Sequence, residues 1–418
     1  MKQRQLKDQI NRTLSGPLLD PELVIGACHA LSQEIRAGLH EPLIRRALKG
    51  TVAEQGERLL REKIDEAARL LDESWLRAKM ELELGADLDN KNRLPLGVLF
   101  HIGAGNLDAL SAYSVVEGLL AGNVNLLKLP EGEQGISSAL LKRLVQICPR
   151  LRPYIYVFSI SSAEVNRLKL LAELADGIVV WGGDEAVSAV RLLARPSAIL
   201  IEWRHKLSFA YVTEQGLREE AGAEEETGGK AGASRLHSLA RHILDTDQLL
   251  CSSCQGIYLD TEDGERAKAF GREFLQILDA EAEGRPLRNE GFRARNTLRV
   301  YSGSLEAAAF GRKEVLCGRR ASVTVMESPD LEASLMFGNC WVKRLPRQEI
   351  MKVLRENSGL LQTVGLVCGQ EEKAELSYLL SRAGAVRICA PGEMSSMTGP
   401  QPHDGEYPLR RYSKICAG

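Results

Sequence analysis

The chain has few aromatic side chains, no long apolar run and almost no net charge. Aromatic residues make up 5% of its 418 residues, which gives no indication of a surface that stacks nucleic-acid bases. The net charge of -2 provides no long-range attraction to nucleic acid or anionic lipid. No stretch approaches the ~20 apolar residues that cross a bilayer, and the polar start MKQRQLKDQINRTLSG lacks the core of a secretory signal. We therefore expect a cytoplasmic protein with no nucleic-acid partner and no membrane span.

The nine cysteines indicate neither a disulfide framework nor a metal site. Cytoplasmic thiols are normally reduced, so most of them are expected to be small core residues. Cys251 and Cys254 differ because they form a C-x-x-C pair in a polar segment that contains serines. A structural zinc ion needs four ligands, and the sequence has no second C-x-x-C and no close histidine pair, so no metal is expected. A redox dithiol is the remaining alternative for this pair, with Cys254 able to protect or silence Cys251 by oxidation.

Length and periodicity predict two α/β domains. A chain of this length, 44% apolar and 26% charged, exceeds one compact core. Residues 1 to about 84 have helical periodicity and many charges, which is typical of helices packed on the outside of a domain. From Leu94, short apolar runs alternate with amphipathic helices as far as SAILIEW, and this predicts a doubly wound parallel sheet. The predicted division is a nucleotide-binding domain at 1–246, a smaller α/β catalytic domain at 247–392, and a tail at 393–418 that returns to the first domain or to an oligomer interface.

Residues 215–234, QGLREEAGAEEETGGKAGAS, are rich in Glu, Gly and Ala and lack an apolar stripe. This composition predicts a flexible surface insertion, and a functional lid is the alternative.

A ligand-binding motif is indicated between Gly103 and Pro130, GAGNLDALSAYSVVEGLLAGNVNLLKLP. A glycine-rich turn between strand and helix lets the backbone approach a ligand, and the helix start offers free N–H groups. Lys128 ends a predicted strand, which is where ligands bind in open parallel sheets. The run does not satisfy G-x-G-x-x-G, since Asp108 stands in the last position, so the glycines alone are equally consistent with tight turns.

Three further segments carry chemistry-bearing residues in chain order. WGGDEAV places Gly182 and Gly183 between a strand and a helix, and IEWRHKLS places Glu202 near a strand end. DQLLCSSCQG contains Cys251, and PHDGEYPLRRYSK lies near the end of the chain.

Together these segments resemble the aldehyde dehydrogenase superfamily, and within it the LuxC-type fatty acyl reductases found with bacterial luciferase. The resemblance covers roughly residues 95–412. The chain departs from the family patterns where Cys254 replaces a Pro and His403 a Trp, and where Arg204 and His205 replace two glycines beside Glu202.

The resemblance implies a role for each matched residue. Cys251 is expected to carry an acyl thioester, with the Asn106 side chain as an oxyanion donor. Glu202 matches the general base of the oxidising direction, and a buried ion pair or a simple strand-end carboxylate is its alternative. The residues expected to hold the nicotinamide cofactor are Gly105, Lys128, Glu131, Gly182 and Gly183.

The implied function is that of an acyl-CoA reductase, with NADPH or NADH as cofactor and acyl-CoA as co-substrate. An acyl-protein synthetase is a further expected donor, and the implied assembly is a homodimer or homotetramer. Glu131 should repel a 2′-phosphate and so favours NADH, whereas LuxC-type reductases normally use NADPH. An oxidising aldehyde dehydrogenase and a non-catalytic subunit of the same fold remain alternatives.

Overall fold

A computed structural model describes residues 3–47, 56–85, 93–103, 109–131, 133, 135–226, 234–285, 290–311 and 313–416. The chain divides into two compact units: unit 1 is residues 1–204 with 397–418, and unit 2 is residues 205–396. The first boundary lies earlier than the expected 246/247, because the strand at Leu207–Val212 pairs within the sheet of unit 2.

Unit 1 begins with helices, as the periodicity of the first 84 residues predicts. They are α1 (Gln3–Leu14), α2 (Pro21–Arg36), α3 (Glu41–Ala47), α4 (Gly56–Leu70) and α5 (Glu73–Leu84). α2 begins with a proline, and the Asp20 carboxylate accepts a hydrogen bond from the Glu22 N–H at 3.0 Å, which satisfies a free donor of the first turn. The buried sides of α2, α4 and α5 share one apolar cluster, in which Leu31 and Leu76 are almost fully enclosed, whereas α1 buries Leu6 and Ile10 in another cluster.

The predicted alternation of strands and helices follows in unit 1. Its elements are β1 (Arg93–Pro95), β2 (Val98–Ile102), α6 (Leu110–Leu120), β3 (Val124–Lys128), α7 (Ile136–Ile147), β4 (Ile155–Phe158), α8 (Val165–Ala172), β5 (Gly177–Gly182), α9 (Asp184–Leu193) and β6 (Ile199–Arg204). Five of these strands form a parallel sheet in the order β4-β3-β2-β5-β6. The fold class predicted from the sequence is confirmed.

The strand order creates a topological switch point between β2 and β5. From β2 the chain moves outward through β3 and β4, and then returns to the other side of β2 as β5. Ligands of doubly wound sheets bind at the carboxyl ends of strands at such a point. Ile102 and Val180 are paired in register there, so β2 and β5 lie side by side near their carboxyl ends.

Unit 2 contains a seven-stranded sheet in the order β13-β12-β7-β8-β11-β10-β9, parallel except for the antiparallel edge strand β9. Its elements are β7 (Leu207–Val212), α10 (Glu214–Glu226), α11 (Arg235–Thr246), β8 (Cys254–Leu259), α12 (Gly264–Ala282), α13 (Glu290–Phe310), β9 (Lys313–Cys317), β10 (Ser322–Met326), β11 (Asn339–Arg344), α14 (Ile350–Leu354), β12 (Leu361–Val367), α15 (Lys373–Ala383) and β13 (Arg387–Cys389). Short 3₁₀ helices lie at Pro149–Tyr154 in unit 1 and at Arg347–Glu349, Arg355–Asn357 and Pro391–Glu393 in unit 2.

The expected flexible insertion at 215–234 is wrong for its first part, which forms α10. The Gly216 N–H donates to Thr213 Oγ1 at 3.0 Å, and Glu220 is buried. The Glu220 carboxylate accepts hydrogen bonds from Ser234 Oγ at 2.8 Å and from the Arg235 N–H at 2.7 Å. A glutamate that looks solvated in the sequence is therefore a structural anchor; residues 227–233 lie outside the described residues.

The end of the chain returns to unit 1 through α16 (Pro408–Arg411) and β14 (Ser413–Ile415). β14 pairs antiparallel with β1. The Asn123 side chain donates to the Tyr412 carbonyl at 2.9 Å, and the Leu409 N–H donates to Glu83 at 2.7 Å. These bonds hold the segment against the sheet and α5.

His101 lies fully buried in β2 within a polar network. Its Nδ1 lies 2.8 Å from Ser114 Oγ, and its Nε2 lies 2.9 Å from Asn125 Oδ1. Burial lowers the pKa of His101 to about 4, only partly opposed by the hydrogen bond to Asn125. The ring is therefore neutral at neutral pH, whereas an unfolded chain would protonate it below about pH 6.5.

This network predicts an acid-dependent loss of stability. Between about pH 6.5 and pH 4 the unfolded state binds more protons at position 101 than the folded state, so the free energy of unfolding rises with pH in this window. Acidification across it should cost up to about 3 kcal/mol from this histidine. Urea titrations at several pH values should show a shallower slope for His101→Gln, and an unchanged slope would contradict the assignment.

Candidate active site

Cys251 lies in a tight turn of unit 2, between α11 and β8. The two residues that follow α11, Asp247 and Gln248, have φ values of 48° and 62° although neither is glycine. Such left-handed residues cost about 1–3 kcal/mol each and persist only where their surroundings hold them. The Ser253 N–H donates to the Leu250 carbonyl at 2.9 Å and closes the turn around Cys251, whose side chain is half-buried.

Two buried glutamines clamp this turn from inside. Gln248 donates through Nε2 to the Cys254 carbonyl at 3.0 Å, and its Oε1 accepts the Gly338 N–H at 3.2 Å. Gln255 donates through Nε2 to the carbonyls of Gln248 and Ser253, at 3.1 and 3.2 Å. The two glutamine side chains therefore hold the backbone on both sides of the turn that contains Cys251.

A facing loop, Ser334–Asn339, completes the clamp. Ser334 donates its N–H and its hydroxyl to Gln255 Oε1, at 3.0 and 2.9 Å. The Phe337 N–H donates to the Asp247 carbonyl at 3.1 Å. Met336 and Phe337 also have positive φ. The hydrogen bond between Phe337 and Asp247 therefore joins two segments with strained, left-handed backbone.

Three polar side chains hold the turn from other elements. Ser208 of β7 donates to the Cys251 carbonyl at 2.6 Å and accepts the Thr363 N–H of β12 at 3.0 Å. His242 of α11 accepts the Cys254 N–H at 3.2 Å, and burial lowers its pKa to about 4. The hydroxyls of Ser252 and Ser395 lie 2.8 Å apart. Strands and a helix of unit 2 therefore fix the backbone on both sides of Cys251.

Cys254 has a different environment from Cys251. It is fully buried as the first residue of β8, within an apolar cluster that also contains Cys340, and its thiol donates to the Gly256 carbonyl at 3.2 Å. Burial raises the pKa of the Cys254 thiol well above its usual range. A thiol held protonated in the core is a poor redox partner, so the structure places Cys254 among the small core residues rather than in a reactive pair.

The predicted cofactor residues Lys128 and Glu131 lie beside the carboxyl end of β3. Lys128 donates to Ser162 Oγ at 3.0 Å, and burial lowers its pKa. Glu131 accepts hydrogen bonds from Ser161 Oγ at 2.8 Å and from the Ser162 N–H at 2.7 Å; chiefly the latter holds its pKa below the usual range. Sequence reasoning missed both serines, although a serine pair that begins three residues after the end of β4 was the available signal.

The predicted glycine turns lie at the switch point. Gly182 ends β5, and Gly183 precedes α9. No atom lies within 4 Å of a Cβ built at Gly183, so this turn leaves open space. After β2, a Cβ at Gly103 would lie 2.1 Å from Ser111 Oγ, which explains the glycine there by close packing. Gly105 and Asn106 lie outside the described residues.

Glu202 forms an ion pair on β6. Its two oxygens accept hydrogen bonds from Arg191 of α9 at 2.5 and 2.8 Å. The Glu202 side chain is 15% exposed and that of Arg191 is 56% exposed. Glu202 therefore forms an ion pair that engages both carboxylate oxygens, but the arginine of this pair is largely exposed and not buried.

Within the described residues, no group of three His, Cys, Asp or Glu side chains is placed to hold a metal ion. None of the helices described there is long and apolar enough to cross a membrane.

A family model for the acyl-CoA reductase LuxC matches residues 45–415. The chain belongs to the LuxC family. Curated relatives are named long-chain acyl-protein thioester reductases. That of Photobacterium leiognathi is 24% identical over 326 residues, or 76% of this chain and 63% of the relative. That of Photorhabdus luminescens is 23% identical over 348 residues, or 81% of this chain and 64% of the relative. The chain thus spans less than two thirds of the length of these relatives.

Solved structures similar to this LuxC-family chain are aldehyde dehydrogenases. Glyceraldehyde-3-phosphate dehydrogenase GapN from Methanocaldococcus jannaschii superposes with a TM-score of 0.71 at 10% identity, covering 100% of this chain and 94% of that one. A benzaldehyde dehydrogenase from Corynebacterium glutamicum gives 0.64 at 11% identity, covering 99% and 87%. The fold is therefore that of the aldehyde dehydrogenases, as the sequence resemblance implied.

At the Trp-to-His departure from the LuxC pattern, His403 makes aromatic contacts with two tryptophans. The His403 ring lies 5.0 Å from the Trp181 ring and 4.9 Å from the Trp203 ring, measured between centroids. His403 pairs with Glu406 across a turn in which Asp404 and Gly405 have positive φ. A ring at this position packs the terminal segment onto the ends of β5 and β6.

Proposed function

We propose that this protein reduces an acyl thioester to an aldehyde, with a nicotinamide cofactor as reductant and a thioester on Cys251 as intermediate. The observation that carries the proposal is the preorganised turn: Cys251 is half-buried, while the backbone around it is fixed by Gln248, Gln255, Ser208 and His242. Enzymes hold nucleophiles in this way because small displacements of the reacting atom cost large factors in rate. Membership of the LuxC family supports the same chemistry.

The proposed reaction has two steps at one sulfur atom. The Cys251 thiolate attacks the acyl carbonyl, a carbon–sulfur bond forms, and the thiol of the donor leaves with a proton. Reduction of this thioester by two electrons then gives a hemithioacetal, which collapses to the aldehyde and the free Cys251 thiol. By family resemblance, the oxyanion is held by the Cys251 N–H and the Asn106 side chain.

The reduced nicotinamide cofactor would supply the hydride when bound. The donor set at β3 fits the hydroxyl groups of a ribose: Lys128 and Ser162 offer donors, while the exposed Glu131 offers acceptors. Gly182 and Gly183 are proposed to lie beneath the pyrophosphate, and Gly105 is proposed from the resemblance as a further cofactor residue. The Glu131 carboxylate disfavours a 2′-phosphate and Lys128 favours it, so NADPH and NADH both belong in the test.

Apolar surface beside Cys251 supports an aliphatic acyl group as the substrate. Leu249 and Leu250, the two residues before it, are 48% and 38% exposed. We propose an acyl-CoA donor, with an acyl-protein as the second donor in view of the names of the relatives.

The assay that tests the proposal measures aldehyde from acyl-CoA and from acyl-protein thioesters of matched chain length, with NADPH and with NADH. Aldehyde from either donor is the expected result. Absence of aldehyde from both, together with oxidation of added aldehyde, would favour the oxidising alternative instead.

Glu202 provides a test of direction. The Glu202 carboxylate is ion-paired with Arg191, and acyl reduction needs no base at this position. Glu202→Gln should therefore change the rate of acyl reduction by less than about threefold. It should cost under about 1 kcal/mol of stability, since the arginine is largely solvated. Steady-state rates and urea titration check both values. A loss of about 100-fold or more in reduction would show that Glu202 acts as a base.

A further inference from the structure

A short segment after β13 is bonded to the turn that contains Cys251. The hydroxyl of Ser395 lies 2.8 Å from that of Ser252, the residue next to Cys251, so one of these hydroxyls donates to the other. Unit 2 ends at Ser396, and the chain continues in unit 1 from Met397. The residue beside the proposed nucleophile is therefore held by the segment through which the chain leaves unit 2.

The guanidinium of Arg387 on β13 holds this exit segment in place. It donates to the carbonyls of Met394, Glu393 and Ser396, at 3.0, 3.0 and 2.9 Å. These carbonyls lie at and just after the end of the 3₁₀ helix Pro391–Glu393, where backbone acceptors lack partners within the helix. A planar guanidinium can bind several acceptors in fixed directions, so Arg387 fixes the backbone on both sides of Ser395.

Close packing fixes the same segment from a second direction. Met394 is fully buried in the apolar cluster that contains Cys254. A Cβ built at Gly365 of β12 would lie 2.6 Å from Met394 Sδ and 3.2 Å from Pro391 Cα, so the close approach of the segment to this strand favours glycine. The position of Ser395 is thus set by the packing of the residue before it as well as by Arg387.

The bond to Ser252 adds a second point of attachment to the peptide unit that carries Cys251. The carbonyl of that unit accepts one hydrogen bond, from Ser208 at 2.6 Å. A planar peptide held at one atom can still tilt about that contact, and a bond to the next side chain opposes the tilt. The direction in which the Cys251 side chain leaves the backbone therefore depends on both serine contacts.

We propose that Ser395 is a positioning residue for Cys251, that it acts through the hydroxyl of Ser252, and that Arg387 keeps it in place. This role rests on the proposed function, because it takes Cys251 as the nucleophile. Small displacements of a reacting atom cost large factors in rate, so loss of the contact slows attack on the thioester without weakening cofactor binding.

A double-mutant cycle tests the proposal. Ser252→Ala and Ser395→Ala should each lower kcat for acyl reduction by about 10-fold with KM for the cofactor unchanged. The double variant should lose no more than either single variant, because all three lack the same hydrogen bond. Arg387→Lys should act like Ser395→Ala, since an ammonium cannot hold three carbonyls in these directions. The matched control is Ser396→Ala, whose hydroxyl donates to the Glu393 carbonyl at 3.0 Å, and it should keep the parent kcat.

Alkylation of Cys251 by iodoacetamide measures the same geometry in the free protein, without turnover. The rate, mapped to the Cys251 peptide by mass, should shift by the same factor of at least about three in Ser252→Ala, Ser395→Ala and the double variant. It should stay at the parent value in Ser396→Ala. Urea midpoints are measured for every variant, and the shifts in kcat and alkylation should not follow them.

Three results would overturn the positioning role: additive losses in the double variant, parent values of kcat and alkylation in Ser395→Ala, or equal losses in Ser396→Ala. Failure of the proposed function has a different signature. Turnover by Cys251→Ala would exclude Cys251 as the nucleophile, whereas the alkylation cycle would still show whether Ser395 orients this side chain.

Discussion

Cys251→Ala is expected to abolish aldehyde formation, with a residual rate of about 10⁻⁴ of the parent or less. Within the proposed mechanism no other group can form the acyl intermediate, because Cys254 is enclosed in the core with a raised thiol pKa. Binding of NADPH or NADH should be unchanged, since the proposed cofactor residues lie in unit 1 whereas Cys251 lies in unit 2. Aldehyde assays and cofactor titration measure the two properties separately.

Cys254→Ala is the matched control for this variant. It removes a buried sulfur from the first residue of β8 and should cost about 1 kcal/mol or somewhat more of unfolding free energy, with most activity retained. Turnover by Cys251→Ala, or loss of turnover confined to Cys254→Ala, would contradict the assignment of the nucleophile.

Gln248→Ala is expected to lower kcat by about 100-fold with little change in KM for the cofactor. The variant removes the donor to the Cys254 carbonyl and the acceptor of the Gly338 N–H, and it leaves both groups unpaired in a buried site. The left-handed backbone at Asp247 and Gln248 would then lose part of what holds it. Gln248 is a positioning residue, because it acts through the turn and not on the substrate.

Two further measurements distinguish a positioning role of Gln248 from a general loss of stability. Ile350→Val, in the other apolar cluster of unit 2, should cost about 1 kcal/mol and leave kcat unchanged. The pH profile of Cys251 alkylation should shift in Gln248→Ala and stay constant in Ile350→Val. Equal losses of kcat in both variants, in proportion to stability, would contradict a positioning role for Gln248.

Local patterns predicted the fold of unit 1 because parallel strands buried on both faces appear as continuous apolar runs. Ile178, Val179 and Val180 of β5 form such a buried run, and the glycines at the two ends of the strand marked its limits. The boundary between the units was not predictable in this way. β7 is as apolar as the strands before it, and only its pairing with β8 and with β12, which lies more than 150 residues later, assigns it to unit 2.

The candidate site shows the same limit. Cys251 and Lys128 were identified by motif, since their chemistry depends on the side chain itself. The roles of Gln248, Gln255 and Ser162 were missed, because each depends on a hydrogen bond to a distant segment that no local pattern encodes. Glu202 could be a base or part of an ion pair in the sequence, and only the structure shows that Arg191 lies beside it.

The most direct test of the central claim is a single-turnover experiment with a radiolabelled acyl thioester. The protein is incubated with the donor, the covalent label is mapped by peptide mass, and NADPH or NADH is then added. The label is expected on the peptide that contains Cys251, and the reduced cofactor should release it as aldehyde. Aldehyde formed without any label on Cys251, or label that the reduced cofactors fail to discharge, would contradict a Cys251 thioester as the intermediate.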